Sequence, residues 1–496
     1  MAKQSSFKLN VVANVIIKLL GAIVPLILSP IVARALLPTG LGNFSYAHSI
    51  VSYFSLAVTF GFLNYGTKKI AENRKNEKES SFIFWKITYA KLFLFIVTSI
   101  VYFAMIFIFD LTKGFDNAIF IAMFLMIVGS FFDVTYYFQG MEKMLGFSIV
   151  NLAVNVIYTI AVILFVKNTN DLLIYTIFKS SITLLTSLVS VFLIDKNIKS
   201  VPKFEFKEVF SSLKSALPFF IPTLILTITP TIDQTMLGSL STTAEVGYYE
   251  EANKIITIVL IVATAVSSIL LSRVAYLRSD NDEKTAIEKI ESSIKNVLFV
   301  VIPSIFGIYC ISDIFFVTYF GDEFATSANV MYWLAPCILF SSLITIVLFG
   351  YYYAKGETKT ATIIVLICDL LNVVMNIFAI KWFGARGAAF TSSFTNGLLL
   401  ILCIIFSYKK INYKTIVSSS IKQLFASILM ALVVIMVKNM LQQTQMNNIL
   451  VLILVIFVGG FTYLFACYAT NDPIIMAFVG MIKKALKLKK EKKSKC

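Results

Sequence analysis

Between Asn14 and Ile50 the chain reads NVIIKLLGAIVPLILSPIVARALLPTGLGNFSYAHSI. Apolar residues dominate on both sides of Pro38-Thr39-Gly40-Leu41-Gly42, so the stretch predicts two membrane-length helices joined by a five-residue turn. Pro25 and Pro30 are expected to break the first helix, and Arg34 follows about one turn after the second break. A similar pair returns further along. Pro218, Pro222 and Pro230 interrupt another apolar helix, Asp233 follows, and the next helix opens Gly247-Tyr248-Tyr249-Glu250-Glu251-Ala252-Asn253-Lys254-Ile255. Gly42, Ala47 and Ile50 stand in register with Gly247, Ala252 and Ile255. Interrupted apolar segments at corresponding positions of two halves point to the binding region of a secondary transporter.

Composition supports a membrane protein. The chain is 58% hydrophobic and only 14% charged, with a mean hydropathy of +0.84. The apolar run after Lys3 and Lys8 is too long for a secretory signal, contains two prolines and shows no small-residue cleavage site, so it is read as the first span. The six cysteines are scattered singly, with no CxxC and no Cys/His cluster, which argues against a metal site or a disulfide framework.

Hydropathy gives about fourteen spans, at 11–37, 43–66, 87–109, 117–139, 147–167, 172–194, 215–240, 247–272, 296–320, 328–354, 361–380, 387–407, 421–438 and 449–470. With the N-terminus inside, 33 of the 43 lysines and arginines fall in inner segments and five in outer turns. The net charge of +16 is thus a topology signal, not a nucleic-acid footprint. Both termini are then expected in the cytoplasm. Asp280–Lys295, with Ile287, Ile290 and Ile294 on one face, predicts an amphipathic surface helix, and 201–217 mixes phenylalanines with lysines in the same way. The lysines from Lys483 to Lys495 form a basic tail that either lies on anionic headgroups or is solvated and only fixes topology.

Tyr136-Tyr137-Phe138-Gln139-Gly140 ends the fourth span and Tyr352-Tyr353-Ala354-Lys355-Gly356 the tenth, which extends the repeat to six spans. Such a repeat preserves orientation, so the halves should relate by a two-fold axis along the membrane normal. The expected organisation is a six-helix bundle at 1–194, a cytoplasmic linker at 195–214, a second bundle at 215–407, two additional helices at 408–470 and the tail at 471–496.

The run from Arg34 to Ala47, Gly61-Phe-Leu-Asn-Tyr-Gly66 and Lys69-Ile-Ala-Glu-Asn-Arg74 resemble the opening of bacterial polysaccharide repeat-unit (Wzx-type) flippases. Phe138-Gln-Gly-Met-Glu142, Asn372-x3-Asn376 and Gly384-Ala-Arg-Gly-Ala-Ala-Phe-Thr391 are similar to later motifs of the multidrug/oligosaccharidyl-lipid/polysaccharide exporter superfamily. The resemblance covers nearly the whole chain. It implies an all-α polytopic fold of two six-helix pseudo-repeat bundles around a MATE-like V-shaped cavity, plus two C-terminal helices. It implies no enzyme and no cofactor. The implied activity is movement of undecaprenyl-diphosphate-linked oligosaccharide repeat units across the bacterial cytoplasmic membrane, for capsule, exopolysaccharide or O-antigen-type synthesis. Implied partners are the lipid-linked oligosaccharide, membrane lipids, a polysaccharide polymerase and its chain-length machinery.

An ionisable side chain inside a span is costly and marks a candidate site. Arg34 and Lys18 are the first candidates for a cargo diphosphate, because guanidinium donates bidentate bonds and ammonium supplies a point charge. Their bland alternative is snorkelling to the interface. Lys254 and Lys91 are further cavity cations, with Lys179 beside them, although Lys254 four residues after Glu250 also reads as a plain helix pair. Asp233 with Glu250 or Glu251 is the candidate site for a coupling H⁺ or Na⁺, and Asp233 is positioned to face Arg34 across the pseudo-axis. The alternative there is a structural salt bridge. His48 and its register partner Asn253 are candidate polar cavity residues, while Asp133 and Asp369 are expected to pair with lysines or hydrate. Pro25, Pro30, Pro222 and Pro230 are the candidate helix breaks.

No nucleotide-binding loop appears, which argues against an ATP-driven pump, and the lone His48 has no paired acid to support a membrane enzyme. The competing readings are a MATE-type multidrug/cation antiporter and a flippase for lipid II or teichoic-type precursors.

Overall fold

The computed structural model describes residues 2–108, 116–194, 198, 205–279, 282–444 and 446–480. Helices account for nearly all of these, and no strand occurs among the described residues. In hydrocarbon every backbone N–H and C=O must be satisfied within its own segment, so apolar runs of this length become helices. Eleven helical segments among the described residues are long and apolar enough to cross a membrane, which makes the chain a multi-pass membrane protein. One of the eleven, Ile27–Glu72, merges two expected spans.

The chain forms two compact units, Met1–Glu250 and Glu251–Cys496. The first contains α1 (Ala2–Thr59), α2 (Phe62–Glu72), α3 (Glu77–Phe107), α4 (Asn117–Phe132), α5 (Thr135–Gly140), α6 (Met144–Phe165), α7 (Leu172–Phe192), α8 (Phe206–Leu240) and the opening of α9 (Thr243–Ser279). The second contains the rest of α9, then α10 (Glu283–Phe320), α11 (Ala325–Val347), α12 (Thr358–Phe383), α13 (Ala385–Ser407), α14 (Tyr413–Gln443) and α15 (Asn448–Ala469). α8 joins the first unit because it packs on α1, α2 and α3.

At 58 residues a straight α1 would extend about 87 Å, nearly three times the hydrocarbon thickness. Leu37 divides it, at φ 59° and ψ 172°. The expected five-residue turn at 38–42 is therefore corrected to one residue. Pro38 opens the second arm, where its missing N–H costs nothing, and it disfavours the helical region for the residue before it. Leu37 there occupies backbone space normally reserved for glycine, at a cost of about 1–3 kcal/mol that the surrounding packing must offset.

That packing is a close backbone crossing. A Cβ on Gly42 would lie 1.6 Å from the Thr243 carbonyl oxygen, and one on Gly247 would lie 2.2 Å from that of Pro38. The contact is reciprocal, since each glycine meets the carbonyl four residues before the other. Of the register partners read from the sequence, Gly42 and Gly247 meet directly.

Two further spans depart from expectation. The second arm of α1 ends at Thr59, not near 66, because Phe60 and Gly61 both adopt positive φ (40° and 71°). Gly61 is needed there, since a Cβ would sit 2.6 Å from the Phe220 nitrogen, while Phe60 stacks on Phe220 at 4.3 Å. The fourth span breaks at Asp133. Its carboxylate accepts from the Thr135 amide (2.9 Å) and hydroxyl (2.5 Å), which starts α5.

The amphipathic helix expected at 280–295 is present as the opening of α10, which continues to Phe320, with Ile290 and Ile294 buried. Asp282 caps it, accepting from Thr285, whose hydrogen bonds hold this carboxyl below the ordinary carboxylate range. Within 201–217, α8 begins at Phe206, and 201–204 lie outside the described residues. The basic tail from Lys483 also lies outside them.

In the second unit the α14–α15 hairpin is bolted to α10. Lys438 donates to Asp313 (2.9 Å) and to the Cys310 carbonyl (2.8 Å), and the Tyr463 hydroxyl donates to the Phe299 carbonyl (2.7 Å). α12 and α13 cross tightly at Gly387, where a Cβ would lie 2.1 Å from the Ala379 carbonyl oxygen. A buried polar seam runs beside that crossing. Asn376 donates to Asn372 (3.0 Å), Thr391 donates to Asn376, and Asn372 reaches Thr395 (3.3 Å). Such satisfied interhelical bonds hold helices together where no hydrophobic force separates them from lipid.

Candidate functional site

The reversal between α8 and α9 sets Asp233 beside Tyr249 and Gln234 beside Glu250. Tyr249 donates its hydroxyl to Asp233 at 2.6 Å, and Gln234 donates its amide to Glu250. Asp233 is 4% exposed and Tyr249 is buried, so a carboxylate is held inside the helix packing by a phenol. Beside this pair the second arm of α1 lies along α8 through a hydroxyl ladder. Tyr53 and Thr235 bond at 2.8 Å, Thr235 donates to Ser49 at 2.8 Å, and Tyr46 reaches Ser239 at 3.3 Å. Tyr46 also covers Gly238, where a Cβ would lie 2.1 Å from its ring.

The expected Glu250–Lys254 pair is corrected. Lys254 bonds Glu251 at 2.6 Å, three residues away, and Glu250 turns to Gln234. Glu251 is fully buried while Lys254 is about one-third exposed, so the pair takes an acid out of water and leaves its cation at the edge.

Arg34 lies on α1 just before the break at Leu37, with an exposed side chain. Lys18 is in the first arm of α1, and its side chain lies outside the described residues. Lys91 is 3% exposed and donates to the Asp133 carbonyl at 2.6 Å. It satisfies an acceptor freed where α4 breaks. Asp133, expected to pair with a lysine or hydrate, meets Lys91 through its carbonyl, and its carboxylate accepts from Thr135 at the start of α5. Lys179 sits over the Tyr158 ring at 5.3 Å. His48 stacks on Phe44, with ring centroids 5.7 Å apart, and Phe44 in turn meets Tyr175 edge-on at 4.9 Å. Asn253 is half-buried on α9.

The candidate breaks at Pro25, Pro30, Pro222 and Pro230 are corrected, because the backbone is helical on both sides of each. Helices in a membrane tolerate proline where neighbouring groups satisfy the freed carbonyl. The break falls at Leu37, the residue before Pro38.

The site-forming residues that sequence reasoning passed over are Tyr249, Gln234, Ser49, Tyr53 and Thr235. Tyr249 and Gln234 come into play only through the reversal after α8, which brings Tyr249 to Asp233 and Glu250 to Gln234. Among the described residues, no group of three or more His, Cys, Asp or Glu side chains is placed to hold a metal ion.

Residues 218–378 match the MatE family model. The chain is 25% identical over 229 residues to the lipid II flippase MurJ of Bacillus subtilis (strain 168), covering 43% of this chain and 41% of that protein. It is 23% identical over 252 residues to a protein described as an O-antigen transporter in Escherichia coli (strain K12), covering 50% and 60%. The chain thus spans about two-fifths to three-fifths of the length of these curated relatives. These relatives are named as flippases and transporters, not enzymes. The fold is similar to a lipid II flippase MurJ in an inward closed conformation, with a TM-score of 0.75 at 17% identity over 94% of this chain and 99% of that one. It is also similar to an inward-facing multidrug resistance MATE family transporter of the MOP superfamily, with a TM-score of 0.61 at 12% identity over 77% and 93%. Residues 7–271, more than half of the 496, match the model of the family described as polysaccharide biosynthesis protein. By that match the chain belongs to the polysaccharide biosynthesis protein family.

Proposed function

We propose that this protein is a flippase that carries lipid-diphosphate-linked oligosaccharide repeat units from the inner to the outer leaflet of a bacterial cytoplasmic membrane. The observation that carries this reading is the family match across 7–271, which contains α1, α8 and the buried Asp233. Both termini face the cytoplasm in this reading, and transport proceeds by alternating access. Arg34 and Lys18 receive the diphosphate. Asp233, with Tyr249 as its hydroxyl partner and Glu250 beside it, takes up the coupling H⁺ or Na⁺. The flipped units feed a polysaccharide polymerase and its chain-length machinery.

Deleting the gene and analysing membrane lipids and surface polymer together tests the reading. Accumulated lipid-linked repeat units with loss of polymer is the expected result. Normal polymer with raised sensitivity to cationic drugs sinks it in favour of the multidrug branch. The identity with a lipid II flippase favours a second reading, in which the cargo is a cell-wall precursor. Accumulation of lipid II with intact polymer supports that one.

A further inference from the structure

A cavity of about 570 Å³ opens where α11, the end of α12 and the start of α13 meet. Ligand sites commonly occupy about 300–1,000 Å³. Trp333, Phe378, Trp382, Phe383 and Phe390 form its walls with Met375, and Arg386 is the one charged residue among those lining it. Two of the chain's three tryptophans stand here, although both are well exposed, Trp333 at 50% and Trp382 at 73%. Trp333 meets Phe390 edge-on at 5.6 Å, and its carbonyl accepts from Ser393. The Gly387 crossing holds the two helices close enough to form the slot.

Arg386 is the one charged side chain in the lining, Lys381 comes just before Trp382 in the chain, and no Asp or Glu occurs in the sequence between Asp369 and Asp472 or within α11, although Asp322 and Glu323 precede that helix. A cation in the first turn of a helix opposes the helix dipole unless an anion joins it, and α13 has neither an acidic residue in that turn nor a side-chain cap. Tryptophan and arginine at the end of a span are the chemistry of the headgroup layer. Sugars would need several convergent polar groups, and the lining offers one.

We propose that this slot is a binding site for an anionic glycerophospholipid of the bilayer, with its phosphate on Arg386 and an acyl chain along the aromatic walls. The inference is independent of the flippase reading. It concerns a lipid that stays with the protein, not one that is transported.

The test uses full-length protein carrying Trp85→Phe, so that Trp333 and Trp382 report, in phosphatidylcholine vesicles. A minor fraction is replaced by brominated phosphatidylglycerol or, in a parallel set, by brominated phosphatidylcholine. Bromine quenches a tryptophan only at contact range. The expected result is about a fivefold preference for brominated phosphatidylglycerol, equivalent to about 1 kcal/mol, that Arg386→Gln abolishes. Equal quenching by the two lipids, or a preference that survives Arg386→Gln, overturns the proposal. Displacement by polyprenyl phosphate at far lower amounts than unlabelled phosphatidylglycerol also overturns it, because the site would then belong to a carrier lipid. If Trp85→Phe fails to fold, native mass spectrometry of the unaltered protein against Arg386→Gln decides the matter. Loss of co-purified phosphatidylglycerol in the variant supports the site, and unchanged retention overturns it.

Discussion

Asp233 and Tyr249 show how much one hydroxyl is asked to do. A hydrogen bond to a charged group contributes about 1.5–3 kcal/mol, so Tyr249→Phe removes one of the contacts that hold this buried carboxylate. If Asp233 binds the coupling ion, Tyr249→Phe shifts the ion concentration for half-maximal transport by about tenfold, equivalent to about 1.4 kcal/mol. Tyr53→Phe, which cuts only the hydroxyl ladder, leaves that dependence in place. An ion titration of transport in proteoliposomes decides between them, and identical shifts in the two variants count against Asp233. Glycines give a second contrast at this scale. Gly42→Ala places a methyl group 1.6 Å from a backbone oxygen and should cost about 3 kcal/mol in a thermal-unfolding assay. Gly460→Ala meets nothing within 4 Å and should be neutral or stabilising by up to about 1 kcal/mol through helix propensity.

Among the elements, the break between α4 and α5 shows what a buried lysine can be for. Lys91→Met leaves the Asp133 carbonyl without this donor and should destabilise the fold by about 1–3 kcal/mol. A lysine that served cargo alone would lower transport with no change in melting temperature, so measuring both quantities separates the roles. Lys438→Met should loosen the α14–α15 hairpin by about 1 kcal/mol, since its partner Asp313 is half exposed and screened. The helices themselves were legible, because an apolar run of membrane length has few other outcomes in lipid. Their ends were less so. Leu37 and Phe60 take positive φ without being glycine, and the cause lies in neighbours such as Pro38 and Phe220, not in their own chemistry. Asp233 was legible as a candidate because acid inside a span is rare. Its partner was not, because a tyrosine on α9 reads equally well as apolar packing until the hairpin reversal is known.

For the whole molecule, the asymmetry of lysine and arginine between alternate connections makes a topological prediction. Single cysteines at 142 and 410 in a cysteine-free background should react with an impermeant maleimide only after the membrane is opened, and those at 170 and 384 in intact cells. The reverse pattern would invert the orientation used for the transport reading. The reciprocal crossing of Gly42 and Gly247 bears on the chain's history as well as its shape. What each glycine meets is a carbonyl of the main chain, and no substitution elsewhere can make a carbonyl smaller. A side chain gained at one position therefore cannot be answered by a change at the other. Selection for revertants of a Gly42→Ser strain should return the original codon or a smaller residue at that site, not second-site suppressors, and the two halves are bound to keep this pair of positions bare however far the rest of their sequences drift apart.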